Sequence, residues 1–143
     1  MRCLRSSRYG IDFRQFDFYR QRAWEAGFLR QFAAQQPVIA AITASELLHG
    51  VERAQDAGRR LRRQQHVEHI LASVLVQPFD LGQARQHARI WADLEARGTM
   101  IGAHDLQIAA TGISLSYDVA TLNVREFARV PGLGVVDATQ FYR

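Results

Sequence analysis

Short apolar runs of strand length alternate with segments of helical periodicity along most of this chain. Residues 37–42 form a continuous apolar run, and an amphipathic segment follows it directly. A continuously apolar strand is typical of a sheet that is covered on both faces, as parallel sheets are. Further strands are predicted over 74–79, 117–123 and 134–136. The alternation predicts an α/β fold in three layers, with a mainly parallel central sheet flanked by helices.

Between these strands, apolar residues recur at the spacing of a helix face. The predicted helices span about 43–57, 59–73, 82–96 and 103–116, with a short turn or helix over 124–130. Asp80 is the candidate cap of the helix over 82–96. The predicted buried face of this helix is formed by Ala84, Ala88, Trp91 and either Leu94 or Glu95.

The pattern is weaker towards the amino end. Residues 8–13 offer a short strand, and residues 16–32 are compatible with a helix.

Length and cysteine content favour one domain in a reducing compartment. A chain of 143 residues is long enough for a core of its own, and the single cysteine, Cys3, excludes an internal disulfide. No apolar run approaches the ~20 residues of a membrane span. The first 30 residues carry arginines throughout, unlike a secretory signal. We therefore expect a cytoplasmic location.

Arginine supplies all of the positive side-chain charge counted for this chain. All 18 basic residues are arginine, the net charge is +4, and the densest cluster lies within 59–63. Arginine suits phosphate oxygens and stacks on bases, which favours a nucleic-acid partner. The alternatives are a solvated helix face or an acidic protein partner.

Asp105 lies where a helix is predicted to begin. Gly98 and Gly102 interrupt the preceding pattern, and apolar residues recur at helical spacing from Leu106 to Ile113. An acid in a first turn can simply interact with the partial positive charge of the helix amino end. Alternatively, Asp105 faces a cleft and holds a metal ion with other acids.

Glu46 has the same two interpretations. Thr43-Ala44-Ser45-Glu46 has the form of a capping box, in which Glu46 would reach back to the backbone of Thr43. It also follows the carboxyl end of a predicted strand, and Asn123 closes another. Because ligands of parallel α/β sheets bind at that edge, we expect Glu46, Asp105 and Asn123 to share a pocket.

Carboxylates held close together need protons or cations between them. Oxygen ligands, with one cysteine and scattered histidines, favour Mg²⁺ or Mn²⁺ over zinc.

Three motifs, in order, resemble those of PIN-domain ribonuclease toxins of the VapC type. They are the segments around Glu46 (41–51), around Asp105 (101–111) and around Asn123 (120–127). The resemblance covers roughly residues 28–136. We accordingly assign residues 28–143 to a PIN-like nuclease domain and residues 1–27 to an atypical amino-terminal segment of that domain.

The resemblance implies a Mg²⁺-dependent endoribonuclease, the toxin of a type II toxin–antitoxin module. Its substrate would be structured RNA, often transfer RNA, and its partners a cognate VapB-type antitoxin and a second copy in a homodimer. Metal-coordinating roles are carried over to Glu46 and Asp105. Asn123 stands where relatives have a fourth acid or an asparagine, and Glu126 is the nearest alternative carboxylate.

The amino end departs from the family pattern. Members of the family begin with an apolar strand that ends in Asp, the first metal ligand, followed by small polar residues. Here Asp12 has about the right distance to Glu46, but Phe13-Arg14-Gln15 follows it, and Asp17 is the second choice. An altered reading frame upstream of about Phe28 would also produce such a segment.

Three functions are therefore expected alternatives. The first is an active metal-dependent nuclease, with Asp12 as an additional metal ligand. The second is a degenerate, catalytically impaired PIN domain that binds antitoxin or RNA without turnover. The third is an arginine-rich RNA-binding module outside the family.

Overall fold

Five parallel strands form one sheet in the part of the chain that the structure, a computed structural model, describes, namely residues 9–11 and 37–141. The strands are β1 (Tyr9–Ile11), β2 (Val38–Ala40), β3 (Leu75–Gln77), β4 (Asp118–Thr121) and β5 (Val135–Asp137). The helices are α1 (Ala41–Glu52), α2 (Ala57–Ser73), α3 (Leu81–Ala96), α4 (Ala103–Leu115) and the short α5 (Val124–Phe127), followed by a 3-10 turn at Ala138–Phe141.

The order of the strands places β1 at the centre of the sheet. It is β3-β2-β1-β4-β5, with Gly10 opposite Val38 on one side and Ile11 opposite Ala120 on the other. The order reverses between β1 and β4, because the chain first builds outward through β2 and β3 and then returns to the other side of β1. In parallel α/β sheets, ligands bind outside the carboxyl ends of the strands at such a reversal.

The sheet is covered on both faces, as the apolar strands predict. All three residues of β2 are buried, and Ile39 and Ala40 belong to different cores. On one face Ile39 packs with Val67 and Ile70 of α2 and with apolar residues of α1. On the other face Ala40 belongs to the core formed by α3, α4 and α5, including Leu94 and Phe127. The predicted three-layer α/β fold is confirmed.

Two details of the helices differ from the sequence-based expectation. Helix α1 begins at Ala41 and ends at Glu52, so it starts before the expected cap at Thr43 and is shorter than predicted. In α3 the buried residues are Gln83, Ile90 and Leu94, whereas Trp91 is 49% exposed. The prediction that Ala88 and Trp91 are buried was wrong, because packing against α4 buries the face that carries Gln83, Ile90 and Leu94.

No helix in the described ranges combines the length and the apolar character that a membrane crossing requires. The helix predicted over 16–32 lies outside the described residues.

Candidate active site

The first turn of α4 is the place where the predicted site residues meet. Gly102 is the residue before the helix, and Asp105 is its third residue, only 6% exposed. A side chain on Gly102 would be crowded by this carboxylate, since an added Cβ would lie 3.3 Å from Asp105 Oδ2. The absence of a side chain at Gly102 therefore leaves the carboxylate the space it occupies.

The loop that leads into α4 is held by the segment that follows β4. The Arg129 guanidinium donates to the Met100 carbonyl over 2.9 Å, and that of Arg97 donates to the Arg129 carbonyl over 3.1 Å. The backbone N–H of Gly102 donates to Glu126 Oε2 over 3.3 Å. These three bonds fix the helix start, and with it the position of Asp105.

Asn123 reaches the same carboxylate from the carboxyl end of β4. Its Nδ2 lies 3.4 Å from Asp105 Oδ2, which is long for a hydrogen bond. The backbone N–H of Asn123 donates to Thr121 Oγ1 over 2.9 Å, and Thr121 is fully buried. The end of the strand thus positions the Asn123 side chain beside Asp105.

Glu46 approaches from α1 and contacts the neighbour of Asp105. Its Oε1 lies 2.5 Å from His104 Nδ1, and the Glu46 side chain is 25% exposed. The capping interpretation of Glu46 was wrong: the residue before α1 is Ala40, and α1 has no side-chain cap. Since the helix begins at Ala41, Glu46 is its sixth residue and lies beyond the first turn.

The structure therefore brings Glu46, Asp105, Asn123 and Glu126 to one end of α4, through the contacts given above. Asp12 and Asp17 lie outside the described residues. Asp12 is the residue that follows Ile11, the last residue of the central strand β1, in the sequence. Within residues 9–11 and 37–141, no group of three or more His, Cys, Asp or Glu side chains could hold a metal ion.

The donor atoms present are of the kind that Mg²⁺ and Mn²⁺ prefer. Glu46, Asp105, Asn123 and Glu126 all offer side-chain oxygens. Asp105 also lies in the first turn of α4, whose amino end carries partial positive charge and attracts acidic side chains. The residues fit a hard divalent cation. Because no three of the described carboxylates form such a group, a site with three carboxylate ligands would need one from outside the described ranges.

His104 is the contact that the sequence did not indicate. It is the second residue of α4, and its side chain is 49% exposed. Its partner Glu46 lies 58 residues away in the chain. The signal that could have found it is its position next to Asp105, in the first turn of the same helix.

Part of the arginine cluster on α2 forms contacts within the protein. Arg60 forms an ion pair with Glu52 over 2.7 Å, and Arg63 donates to the carbonyl of Gly50 over 2.9 Å. Both bonds tie α2 to the last turns of α1. Arg59 and Arg62 are exposed. The cluster therefore has both a structural part and a part that faces solvent.

The family model for the PIN domain matches residues 16–133. The match includes Glu46, Asp105, Asn123 and Glu126, and it begins downstream of Asp12. It covers well over half of the chain, and the parallel sheet with acids at the carboxyl edge fits this class of protein.

Similar proteins of known name indicate which group within this family the chain resembles. It is 37% identical over 101 residues to Ribonuclease VapC1 of Rickettsia felis, covering 71% of this chain and 75% of the relative. It is 34% identical over 99 residues to the tRNA(fMet)-specific endonuclease VapC of Salmonella typhimurium, covering 69% and 73%. The chain therefore belongs to the PIN-domain family, among its VapC-type ribonuclease toxins.

Solved structures agree with this assignment. DNA-bound VapBC from Salmonella typhimurium superimposes with a TM-score of 0.78 at 28% identity, covering 92% of this chain and 98% of that one. FitAcB from Neisseria gonorrhoeae gives a TM-score of 0.75 at 26% identity, with the same coverage.

Proposed function

We propose that this protein is a Mg²⁺-dependent endoribonuclease, the toxin of a type II toxin–antitoxin module. The observation that carries the proposal is the meeting of Glu46 with the first turn of α4, where Asp105 and Asn123 also lie. The names of the relatives support cleavage of RNA, and one of them acts on tRNA(fMet). Transfer RNA is therefore the first substrate to test, and a cytoplasmic location follows from such a substrate.

Glu46 and Asp105 would hold the metal ion, and Asp12 would be the further carboxylate. Its position in the sequence, directly after the central strand, supports this choice. Mn²⁺ would fit the same oxygen ligands. When bound, the ion supplies activation of a water molecule and stabilisation of charge at the scissile phosphate.

The chain's own residues have separate roles in this mechanism. Asp105 is buried in the first turn of α4, where its carboxylate would serve as an oxygen ligand. Asn123 steadies that carboxylate from the end of β4, and Glu126 fixes the start of α4 through Gly102. The exposed arginines, including Arg59 and Arg62, would bind RNA phosphates.

Two protein partners belong to the proposal. The similar solved structures include complexes named VapBC, which supports a VapB-type antitoxin as the cognate partner. The family resemblance also implies a homodimer.

The decisive experiment is cleavage of transfer RNA by the purified protein and by Asp105→Asn, with Mg²⁺ and with excess chelator. We expect cleavage by the parent that chelator abolishes, and loss of cleavage in the variant. An Asp105→Asn protein that cuts as fast as the parent would refute the role of Asp105. Activity that resists chelator would refute the metal dependence.

A second candidate is a degenerate PIN domain that binds antitoxin or RNA without turnover. It is favoured by the described residues, which hold no group of three ligating side chains, and by a family match that begins after Asp12. Calorimetric titration of Mg²⁺ into the parent and Asp12→Ala separates the candidates. Weaker binding in Asp12→Ala supports the active enzyme, whereas a parent that binds no Mg²⁺ supports the impaired one.

A further inference from the structure

The contact between His104 and Glu46 joins the two helices that carry the described candidate metal ligands. It links the middle of α1 to the first turn of α4 across 58 residues, with 2.5 Å between Nδ1 and Oε1. We infer that His104 is a positioning residue, which orients the Glu46 carboxylate towards the metal site beside Asp105. The inference rests on the proposed nuclease function and adds to it a residue with a defined task.

The direction of the hydrogen bond follows from the two groups. When the Glu46 carboxylate is ionised it only accepts hydrogen bonds, and His104 is then the donor, from Nδ1. This bond fixes one oxygen of Glu46, and the other oxygen, Oε2, is buried. A glutamate side chain has several rotatable bonds and moves freely unless it is anchored. Anchoring Oε1 therefore also restricts where Oε2 can lie.

The position of His104 in α4 places the donor of this bond directly beside Asp105. His104 is the second residue of the helix and Asp105 the third. The bonds from Glu126 and Arg129 hold the loop before them, so the His104 backbone has a fixed place. A rigid donor next to one ligand thus sets the distance at which the other ligand can approach. Hydrogen-bonding partners of metal-ligating groups commonly have this effect on affinity.

A purely stabilising ion pair is the alternative explanation. The His104 side chain is 49% exposed, and exposed ion pairs contribute little to stability. Nor does the contact cap a helix, because Glu46 lies beyond the first turn of α1. A stabilising pair would change thermal unfolding but not metal binding, so the two explanations differ in a measurable quantity.

Two amide substitutions distinguish the roles of the two ring nitrogens of His104. His104→Asn places an N–H donor near the position of Nδ1, whereas His104→Gln places it near that of Nε2. The experiment measures Mg²⁺ affinity by calorimetry, together with kcat and KM for transfer RNA cleavage. Asp105→Asn serves as the reference for a lost ligand, and His69→Gln, at an exposed histidine of α2, as the matched control. Thermal unfolding by circular dichroism shows that each variant is folded.

We expect His104→Gln to lose Mg²⁺ affinity by about 10- to 100-fold, with His104→Asn recovering most of it. The control should match the parent. If Asp105→Asn loses Mg²⁺ binding while His104→Gln keeps it, the inference is wrong and the proposed function stands. If His104→Asn is as weak as His104→Gln, the Nδ1 geometry is wrong. If neither Asp105→Asn nor His104→Gln changes binding, or the parent binds no Mg²⁺, the proposed function itself fails.

Discussion

The beginnings of α1 and α3 carry polar residues at the same spacing, three positions apart. In α3, Asp80 accepts from the Gly82 N–H, and the backbone N–H of Asp80 donates to Gln83 Oε1 over 3.2 Å, which completes a capping box. In α1, Thr43 and Glu46 have the same spacing, yet no cap forms. Glu46 instead contacts His104 on another helix.

The difference arises from what precedes each pattern. Residues 78–80, including Pro78, separate β3 from α3, so the chain has room for a capping residue. By contrast, β2 ends at Ala40 and α1 begins at Ala41 without a loop. Thr43 is therefore already inside the helix and fully buried. The same local pattern caps the helix in α3, whereas in α1 it places Glu46 in contact with another helix.

The largest expected effect is on RNA cleavage, and it comes from changing Glu46 in α1. We expect Glu46→Gln to reduce transfer RNA cleavage by at least about 100-fold, since the proposed mechanism makes Glu46 a charged metal ligand, while the free energy of unfolding stays near that of the parent. Cleavage rates and urea unfolding of the same preparations check this. A variant that retains parental cleavage but unfolds easily would mean that Glu46 has a structural role after all.

The opposite result is expected for Gln83 in α3. This side chain is 4% exposed and also donates to Ser114 Oγ over 3.0 Å. Gln83→Ala should lower the free energy of unfolding by about 2 kcal/mol, because it removes two partly buried hydrogen bonds and leaves a space. Cleavage per folded molecule should remain parental. Asp80→Ala is the companion variant, with an expected loss of about 1 kcal/mol.

A smaller effect tests whether Thr43 has any capping role. Among the described residues, its Oγ1 has no hydrogen-bond partner. Thr43→Val keeps the shape and removes a buried hydroxyl, so the free energy of unfolding should be unchanged or rise by up to about 1 kcal/mol. Chemical denaturation measures it. A loss as large as that of Asp80→Ala would show that the threonine does cap the helix.

The smallest expected effect concerns pH and again α3. His87 lies edge-on to Phe79 and Trp91, with ring centroids 5.6 and 5.7 Å away, and burial lowers the pKa of His87 from 6.5. The unfolded chain therefore binds this proton more readily than the folded protein. Stability should fall slightly as the pH drops through 6.5. Denaturation midpoints above and below this pH measure it, and His87→Gln should abolish the dependence at this residue.

Much of the fold could be predicted because burial leaves a periodic trace in the sequence. The continuous apolar run before α1 predicted β2, and the strands β3, β4 and β5 were predicted within a few residues of their bounds. Asp80 was also predicted correctly as the residue before α3. The prediction that Trp91 is buried was wrong because α3 contains many alanines, so several of its faces fit a helical periodicity. Only the packing against α4 determines which face is buried.

The sequence by itself determined the α/β class, the order of the elements and the acids that follow strands, because local spacing and hydrophobicity report which residues are buried. Only the tertiary structure decided that Glu46 turns away from Thr43 to His104, and that the bonds from Glu126 and Arg129 fix the start of α4. The physical reason is that these contacts join residues 24 or more positions apart. Local propensity contains no information on such pairs until the sheet brings them together.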